Sequence, residues 1–407
     1  MLYNSYEFQR SWLAGAGAAA SLGASWLNNP ANPMSYLGIG EMAGAALDVF
    51  AHAAAPRGKP EFGLSSTTID GKSVPVTEII ECRKPFGQLK HFVRDGVSAG
   101  DPRILIIAPM SGHFATLLRG TVERLLPSHD VWITDWRDAK HVPTEDGRFD
   151  LDDYIDYLVE FLEHVGPGAH VLAVCQPSVP AFAAVALMSA TNHAALPATL
   201  TMMGGPVDTR KAPTSVNTLA TQRPFAWFEQ NVIATVPALY SGHGRRVYPG
   251  FLQLTGFMSM NLGNHMTSHW EMFKHLVAGD DASADATKDF YDEYRSVCDM
   301  TAEYYLQTIS TVFQNHLLPK GEMTHRGIRV DPAAITKVAL LAIEGERDDI
   351  SGLGQTKAAL DIATNLPGTK KSYYMAAGAG HYGIFNGSKW RNQIAPLVEK
   401  FIRKHGG

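Results

Sequence analysis

The sequence predicts an α/β protein: a mostly parallel sheet with helices on both faces and an inserted helical cap. Two observations carry that reading. From Ile104 onward, short continuous apolar runs alternate with amphipathic helical stretches, the pattern of strands buried on both sides. The alternation breaks between about Asp208 and Asp331 and then resumes, so the intervening stretch is expected to be inserted into the sheet domain. The expected organisation is an N-terminal helical arm over 1–60, a first core part over 61–207, the cap over 208–330 and a second core part over 331–407.

The arm has aromatics at helical spacing in MLYNSYEFQRSWL and again in MAGAALDVFAHAA, with the Pro/Asn-rich NNPANPMSY between them. Val74 to Phe86 and Gln88 to Arg94 read as two early strands, with Asp70-Gly71 turning into the first. ILIIAPM is then a strand, FATLLRGTVERLL a helix and DVWITDW a strand. Leu151 to Val165 is an amphipathic helix, HVLAV a strand, and an Ala-rich helix follows Cys175. LPATLTMMGGP, KVALLAIEGE and KKSYYMAA supply three more strands. The stretch between Asp208 and Asp331 holds Met, Phe and Trp mostly at helical spacing.

Composition excludes several classes of function. The chain has 407 residues, 45% of them hydrophobic, enough to bury a large core. A net charge of -5 with no Lys/Arg-rich run leaves no basic field for nucleic acid. Cys82, Cys175 and Cys298 lie far apart with no CxxC pair, which fits a reducing cytoplasm and indicates neither a disulfide framework nor a zinc ribbon. Trp12 to Leu27 is only weakly hydrophobic, follows Glu7 and Arg10, and falls short of the roughly 20 apolar residues of a membrane span. It is read as part of the arm, not as an export signal or transmembrane segment.

Cys175 stands directly after the strand HVLAV and before a helix, the setting of a nucleophile elbow, where a sharp turn lifts the reactive atom above the sheet. Ala173 meets the small-residue requirement two positions earlier. Pro177 replaces the usual glycine two positions later, and a first helical turn accepts proline because its N–H groups are free. A lone cysteine at a strand end is commonly a plain core residue. Chain order raises the case: Asp348 follows an apolar strand and His381 lies in a Gly-rich loop after the last one, giving the nucleophile, acid, histidine order of the α/β-hydrolase fold. Asp348 is preferred to Asp349 by its place three residues after Gly345.

In that reading His381 takes the thiol proton, Asp348 orients the imidazole, and Cys175 attacks an acyl carbon. The oxyanion would be held by the N–H of Gln176 and that of Met110 or Ser111, with Gly112 allowing close approach. His113 in the same loop is a candidate substrate contact, as are Trp227, Phe257 and Trp270 in the aromatic-rich insertion. No metal or cofactor is expected. His265 and His269 have i, i+4 spacing but lack the adjacent Glu of a zinc protease, and Gly242 to Arg246 and Gly204-Gly205 lack the context of a phosphate loop.

VCQPSVP, TDWRDAKHVP, GERDDISG, GAGHYGIFNG and the N-terminal MLYNSYEFQRSWL resemble the intracellular poly(3-hydroxybutyrate) depolymerases, over nearly the whole chain. The resemblance implies that Cys175, Asp348 and His381 match the family's triad and that Pro177 belongs to its version of the elbow. It also implies that the substrate is amorphous polyester in cytoplasmic storage granules, whose surface would be the partner. Rival readings are a polyester synthase, whose elbow keeps glycine after the cysteine as G-x-C-x-G, a non-catalytic granule-coating protein, and a hydrolase of short esters or thioesters.

Overall fold

The computed structural model describes residues 2–29, 31–33, 38–56, 58–97, 100–260 and 292–406. Its main sheet has the strands β1 (Ser66–Ile69), β2 (Lys72–Arg83), β3 (Gly87–Arg94), β4 (Arg103–Ile107), β5 (Asp130–Trp136), β6 (His170–Val174), β7 (Thr199–Met203), β8 (Ala339–Gly345) and β9 (Lys371–Ala376). Their spatial order is β1-β2-β3-β5-β4-β6-β7-β8-β9. From β5 to β9 every pairing is parallel, whereas β1, β2 and β3 pair antiparallel and β3 joins β5 antiparallel. This is the α/β-hydrolase fold. The order reverses at β4, with β5 on one side and β6 on the other, so the crevice at the carboxyl ends of β4 and β6 is the place where such sheets build sites.

The early strands differ from the sequence reading in one respect. Asp70 and Gly71 both have positive φ, 49° and 76°, and close a two-residue hairpin between β2 and a further strand, β1. Four residues are too few to show a period, so β1 was not legible beforehand.

Side chains of the central strands alternate between two cores. Leu105, Ile107, Val171, Ala173, Leu340 and Ala342 face one, and Ile104, Ile106, Leu172, Val174, Leu341 and Ile343 the other. A strand covered on both faces must be apolar at every position, which is why these segments read as unbroken runs. Helix α3 (Arg119–Leu125) and the C-terminal helix Ala395–His405 cover the second face; α4 (Leu151–Val165) and α5 (Ser178–Ala190) cover the first.

Helix α4 has the predicted bounds. Asp150 caps it and forms a reciprocal capping box with Asp153, and Gly166, at φ 95°, ends it. Its face of Leu151, Tyr154, Ile155, Leu158, Phe161, Leu162 and Val165 is buried, each large side chain contributing about 1.5–3 kcal/mol. Helix α5 is buried almost all round, so it shows little amphipathicity.

The N-terminal segment is a hairpin of α1 (Leu2–Leu27) and α2 (Gly38–Ala54). A Cβ on Gly17 would stand 2.9 Å from that of Ala54, so the absent side chain lets the two helices touch. Between β7 and β8 the chain leaves the sheet and forms α6 (Ser215–Gln222), α7 (Phe225–Asn231), α8 (Gly250–Met260) and α9 (Ala302–Thr308). It also contains a small antiparallel sheet of Ala234–Thr235, Arg246–Tyr248 and Met300–Thr301, which the helical reading of this stretch did not include. Among the described residues, no helix is long and apolar enough to cross a membrane.

Candidate active site

Cys175 follows β6 and takes the left-handed conformation, φ 67°, which a side chain with a Cβ rarely adopts and which costs on the order of 1–3 kcal/mol. Its N–H donates to the Met203 carbonyl at 2.7 Å, extending the β6–β7 pairing one residue into the turn. Pro177, at φ -55°, is already helical and leads into α5. The sharp turn needs small neighbours, and this elbow has no glycine of its own next to Cys175. Gly204 and Gly205, just after β7, supply the room. A Cβ on Gly205 would lie 3.0 Å from the Cys175 carbonyl oxygen and collide with Ser178. One on Gly204, at φ 59°, would come within 3.1 Å of His381 Cε1 and 3.2 Å of Asp348 Oδ2.

Asp348 lies in the loop after β8. Its Oδ1 accepts the N–H groups of Ile350 at 2.9 Å and Ser351 at 2.8 Å, and its Oδ2 accepts from His381 Nδ1 at 2.8 Å. The loop is pinned from below by Glu344, whose carboxylate accepts from the N–H groups of Gly354, Thr356 and Lys357 and from the Tyr373 hydroxyl. Thr356 in turn exchanges two hydrogen bonds with Gly205, at 2.8 and 3.0 Å. The acid loop and the glycines under the elbow are therefore one unit.

His381 begins a short turn of helix, Tyr382–Ile384, with Tyr382 and Phe385 edge-on to its ring at 5.8 and 5.7 Å. Burial would push its pKa down. The Cys175 charge and Asp348 act the other way and hold it well above an ordinary imidazole. Cys175, His381 and Asp348 thus converge from three loops at the carboxyl ends of β6, β9 and β8. Of the two adjacent aspartates, it is Asp348 that meets His381.

Residues 204–406 match the family described as PHB de-polymerase C-terminus. The chain belongs to this depolymerase family. Membership makes it a hydrolase and supports ester hydrolysis as its reaction. A search of curated proteins finds no match. Similar solved structures include the 2-hydroxy-6-oxo-6-phenylhexa-2,4-dienoate hydrolase of Rhodococcus sp. strain RHA1, at 12% identity and a TM-score of 0.45 over 81% of this chain and 100% of that one. A thermophilic esterase of Thermogutta terrifontis is similar at 11% identity and a TM-score of 0.42 over 84% and 98%. Naproxen esterase of Bacillus subtilis is similar at 12% identity and a TM-score of 0.43 over 81% and 92%.

In this depolymerase-family chain, a cavity of about 380 Å³ opens over Cys175 and His381, with apolar walls that include Phe228, Tyr248, Ile309 and Phe313. Met110, Ser111 and Gln176 line it. Among the described residues the N–H groups of these three donate to no backbone carbonyl. Gly112, at φ 99°, lets Gln253 of α8 press onto the loop: a Cβ there would lie 2.7 Å from Gln253 Cγ.

His113 also lines the cavity, but it donates from Nε2 to the Tyr294 carbonyl at 3.0 Å, and burial pushes its pKa down to about 4. The neutral ring therefore tethers this loop to the segment ending the excursion. Trp227 packs beside Phe228 and under Arg223, in the apolar cluster that also holds the cavity-wall residues Ile309 and Phe313. The Phe257 side chain and Trp270, like His265 and His269, lie outside the described residues.

Sequence reasoning missed Gly204-Gly205 and the tyrosines 304 and 382. A glycine pair directly after an apolar strand was the available signal for the first. Tyr304 sits in ordinary helical surroundings, and Tyr382 stands next to His381 in its Gly-rich loop without a motif of its own, so neither gave a signal. For a metal, Cys82, Glu160 and His164 place their ligand atoms within 4.8 Å of one another. Glu160, however, already pairs with the Lys84 ammonium, and burial with the Glu160 charge pushes the Cys82 thiol up, toward its protonated, non-ligating form.

Proposed function

We propose that this protein hydrolyses ester bonds of amorphous poly(3-hydroxybutyrate) through an acyl-cysteine intermediate, at the surface of cytoplasmic storage granules. The observation that carries the reading is a cysteine held at φ 67° above the sheet, beside an imidazole oriented by a buried carboxylate, at the floor of an apolar cavity. His381 accepts the Cys175 proton, and the sulfur adds to the acyl carbon. The N–H groups of Gln176 and of Met110 or Ser111 meet the oxyanion. Collapse expels the alcohol end of the chain, which takes the proton from His381. Water then adds to the thioester with His381 as base, releasing the hydroxyacid and restoring the thiol. The preference of His381 for its charged form beside Cys175 and Asp348 supports the first transfer.

The test is mass spectrometry of wild type and Cys175→Ala after brief incubation with amorphous polymer, with soluble 3-hydroxybutyrate units measured in parallel. Turnover with an acyl adduct on Cys175, both absent from the variant, is the expected result. A folded wild type that releases nothing from the polymer refutes the assignment, and transfer from a CoA thioester without hydrolysis would favour the synthase reading instead.

A further inference from the structure

Glu344, the last residue but one of β8, is only 1% exposed and stands outside the walls of the cavity. Burying a carboxylate is costly unless donors replace the lost water. Four donors do so here. Oε1 accepts the N–H groups of Thr356 at 2.8 Å and Lys357 at 2.9 Å, and Oε2 accepts that of Gly354 at 2.9 Å and the Tyr373 hydroxyl at 2.8 Å. Three of these donors belong to the far end of the loop that carries Asp348, so Glu344 closes that loop across its base.

Thr356 carries the tie onward to the elbow. It is fully buried, and its hydroxyl accepts from the Gly205 N–H at 2.8 Å and donates to the Gly205 carbonyl at 3.0 Å. Gly205 packs on the Cys175 turn, and Gly204 lies against His381 and Asp348. The glycine pair thus spans from the nucleophile to its two partners. The acid and histidine loops are joined to each other separately. The Glu346 N–H donates to the Ala376 carbonyl at 3.1 Å and that of Arg347 to the Ala379 carbonyl at 2.9 Å, while the Glu346 carboxylate accepts from the Gly378 N–H at 2.6 Å. Loss of the Thr356 hydroxyl therefore leaves His381 and Asp348 together and frees the elbow to shift against them.

We infer that Glu344 and Thr356 are positioning residues for ester cleavage, fastening the acid loop to the glycines under the elbow and so holding Cys175 in register with the His381–Asp348 pair. The inference rests on the ester-hydrolase reading of Cys175. Both residues act through Gly205 and not by touching substrate. A displacement of about 1 Å between reacting groups can cost about a hundredfold in rate. Burial opposes the charged form of His381, and the Cys175 charge is the first influence that favours it, so a shifted elbow also lets the imidazole lose its proton at lower pH.

The experiment follows hydrolysis of p-nitrophenyl butyrate by the full-length protein as wild type, as Thr356→Val, which keeps the shape without the hydroxyl, and as Thr356→Ser, which keeps the hydroxyl. Thr356→Val is expected to lower kcat by about tenfold to a hundredfold with KM changed by less than about twofold, and to move the alkaline limb of the kcat/KM profile to lower pH. Thr356→Ser should restore most of the rate and return the limb. Glu344→Gln, whose amide turns a donor toward backbone N–H groups, should act in the same direction as Thr356→Val. Circular dichroism checks that each variant is folded, and Glu344→Gln carries the test if Thr356→Val does not fold. Wild-type kcat and pH profile in either folded variant, or a loss in Thr356→Val that Thr356→Ser does not restore, overturns the inference and leaves the hydrolase reading standing. A wild type that hydrolyses neither this ester nor the polymer overturns both.

Discussion

Asp348 and Asp299 are both buried aspartates, the first beside His381 and the second beneath helix α1, and their surroundings differ in kind. The Asp348 oxygens meet three N–H donors, one of them on an imidazole held toward its charged form. Asp299 accepts from the Tyr3 hydroxyl at 2.5 Å and from the Gly250 N–H at 2.9 Å, while its own N–H donates to the carboxylate of Asp138. Burial and the Asp138 charge push Asp299 up to about 6, against the opposing pull of Lys140, Tyr3 and Gly250. Burial is therefore met by donors that orient an imidazole in one place and by a proton-binding clamp in the other. The partners decide, because taking a carboxylate out of water is tolerable only when charge and donors replace the water.

The largest effect expected from this contrast is on activity. Asp348→Asn keeps the shape but cannot stabilise the imidazolium or fix its tautomer, so kcat/KM for ester hydrolysis should fall by roughly 10³–10⁴-fold with the fold intact. A loss smaller than tenfold in steady-state assays would break the assigned role.

A second, smaller effect concerns pH and stability. Asp299 binds its proton more tightly folded than unfolded, so its contribution to stability falls as pH rises from its ordinary value of 3.8 through about 6. Asp299→Asn removes that dependence. The stability of the variant relative to wild type should climb across this window by on the order of 1–3 kcal/mol, read from denaturant unfolding at pH 4, 5, 6 and 7. A difference flat with pH would mean that Asp138 and burial do not act on Asp299 in this way.

The smallest effect is that of Tyr3→Phe, which removes a single hydroxyl from the clamp and should cost about 1 kcal/mol. Unfolding curves of wild type and variant at pH 7 measure it. A loss as large as that of a core truncation would show that Tyr3 matters through packing against Phe251 and Tyr240 instead.

Much of the sheet was legible because strands buried on both faces are apolar without interruption, and α4 because its buried face repeats at helical spacing and is closed by Asp150 and Gly166. Strand β1 was too short to read, and the three-stranded sheet beside α8 is made of two- and three-residue strands with no period at all. The candidate site was readable where a residue's place relative to a strand end carries meaning, as for Cys175, Asp348 and His381. It was not readable where the role comes from contact across the fold. Trp227 and Phe228 look alike in sequence, and their packing with Ile309 and Phe313 comes from residues more than eighty positions away.

What the sequence determined by itself was the run of strands and helices, the order of thiol, acid and imidazole, and the absence of a basic field, since each depends on residue type and short-range spacing. Tertiary structure alone decided that Gly204 and Gly205 make room for an elbow lacking its own glycine, and that Phe228, Tyr248, Ile309 and Phe313 wall the cavity over Cys175. Those contacts join residues from about thirty to more than a hundred positions apart. Strand register and helix rotation settle them, and local pattern does not record them.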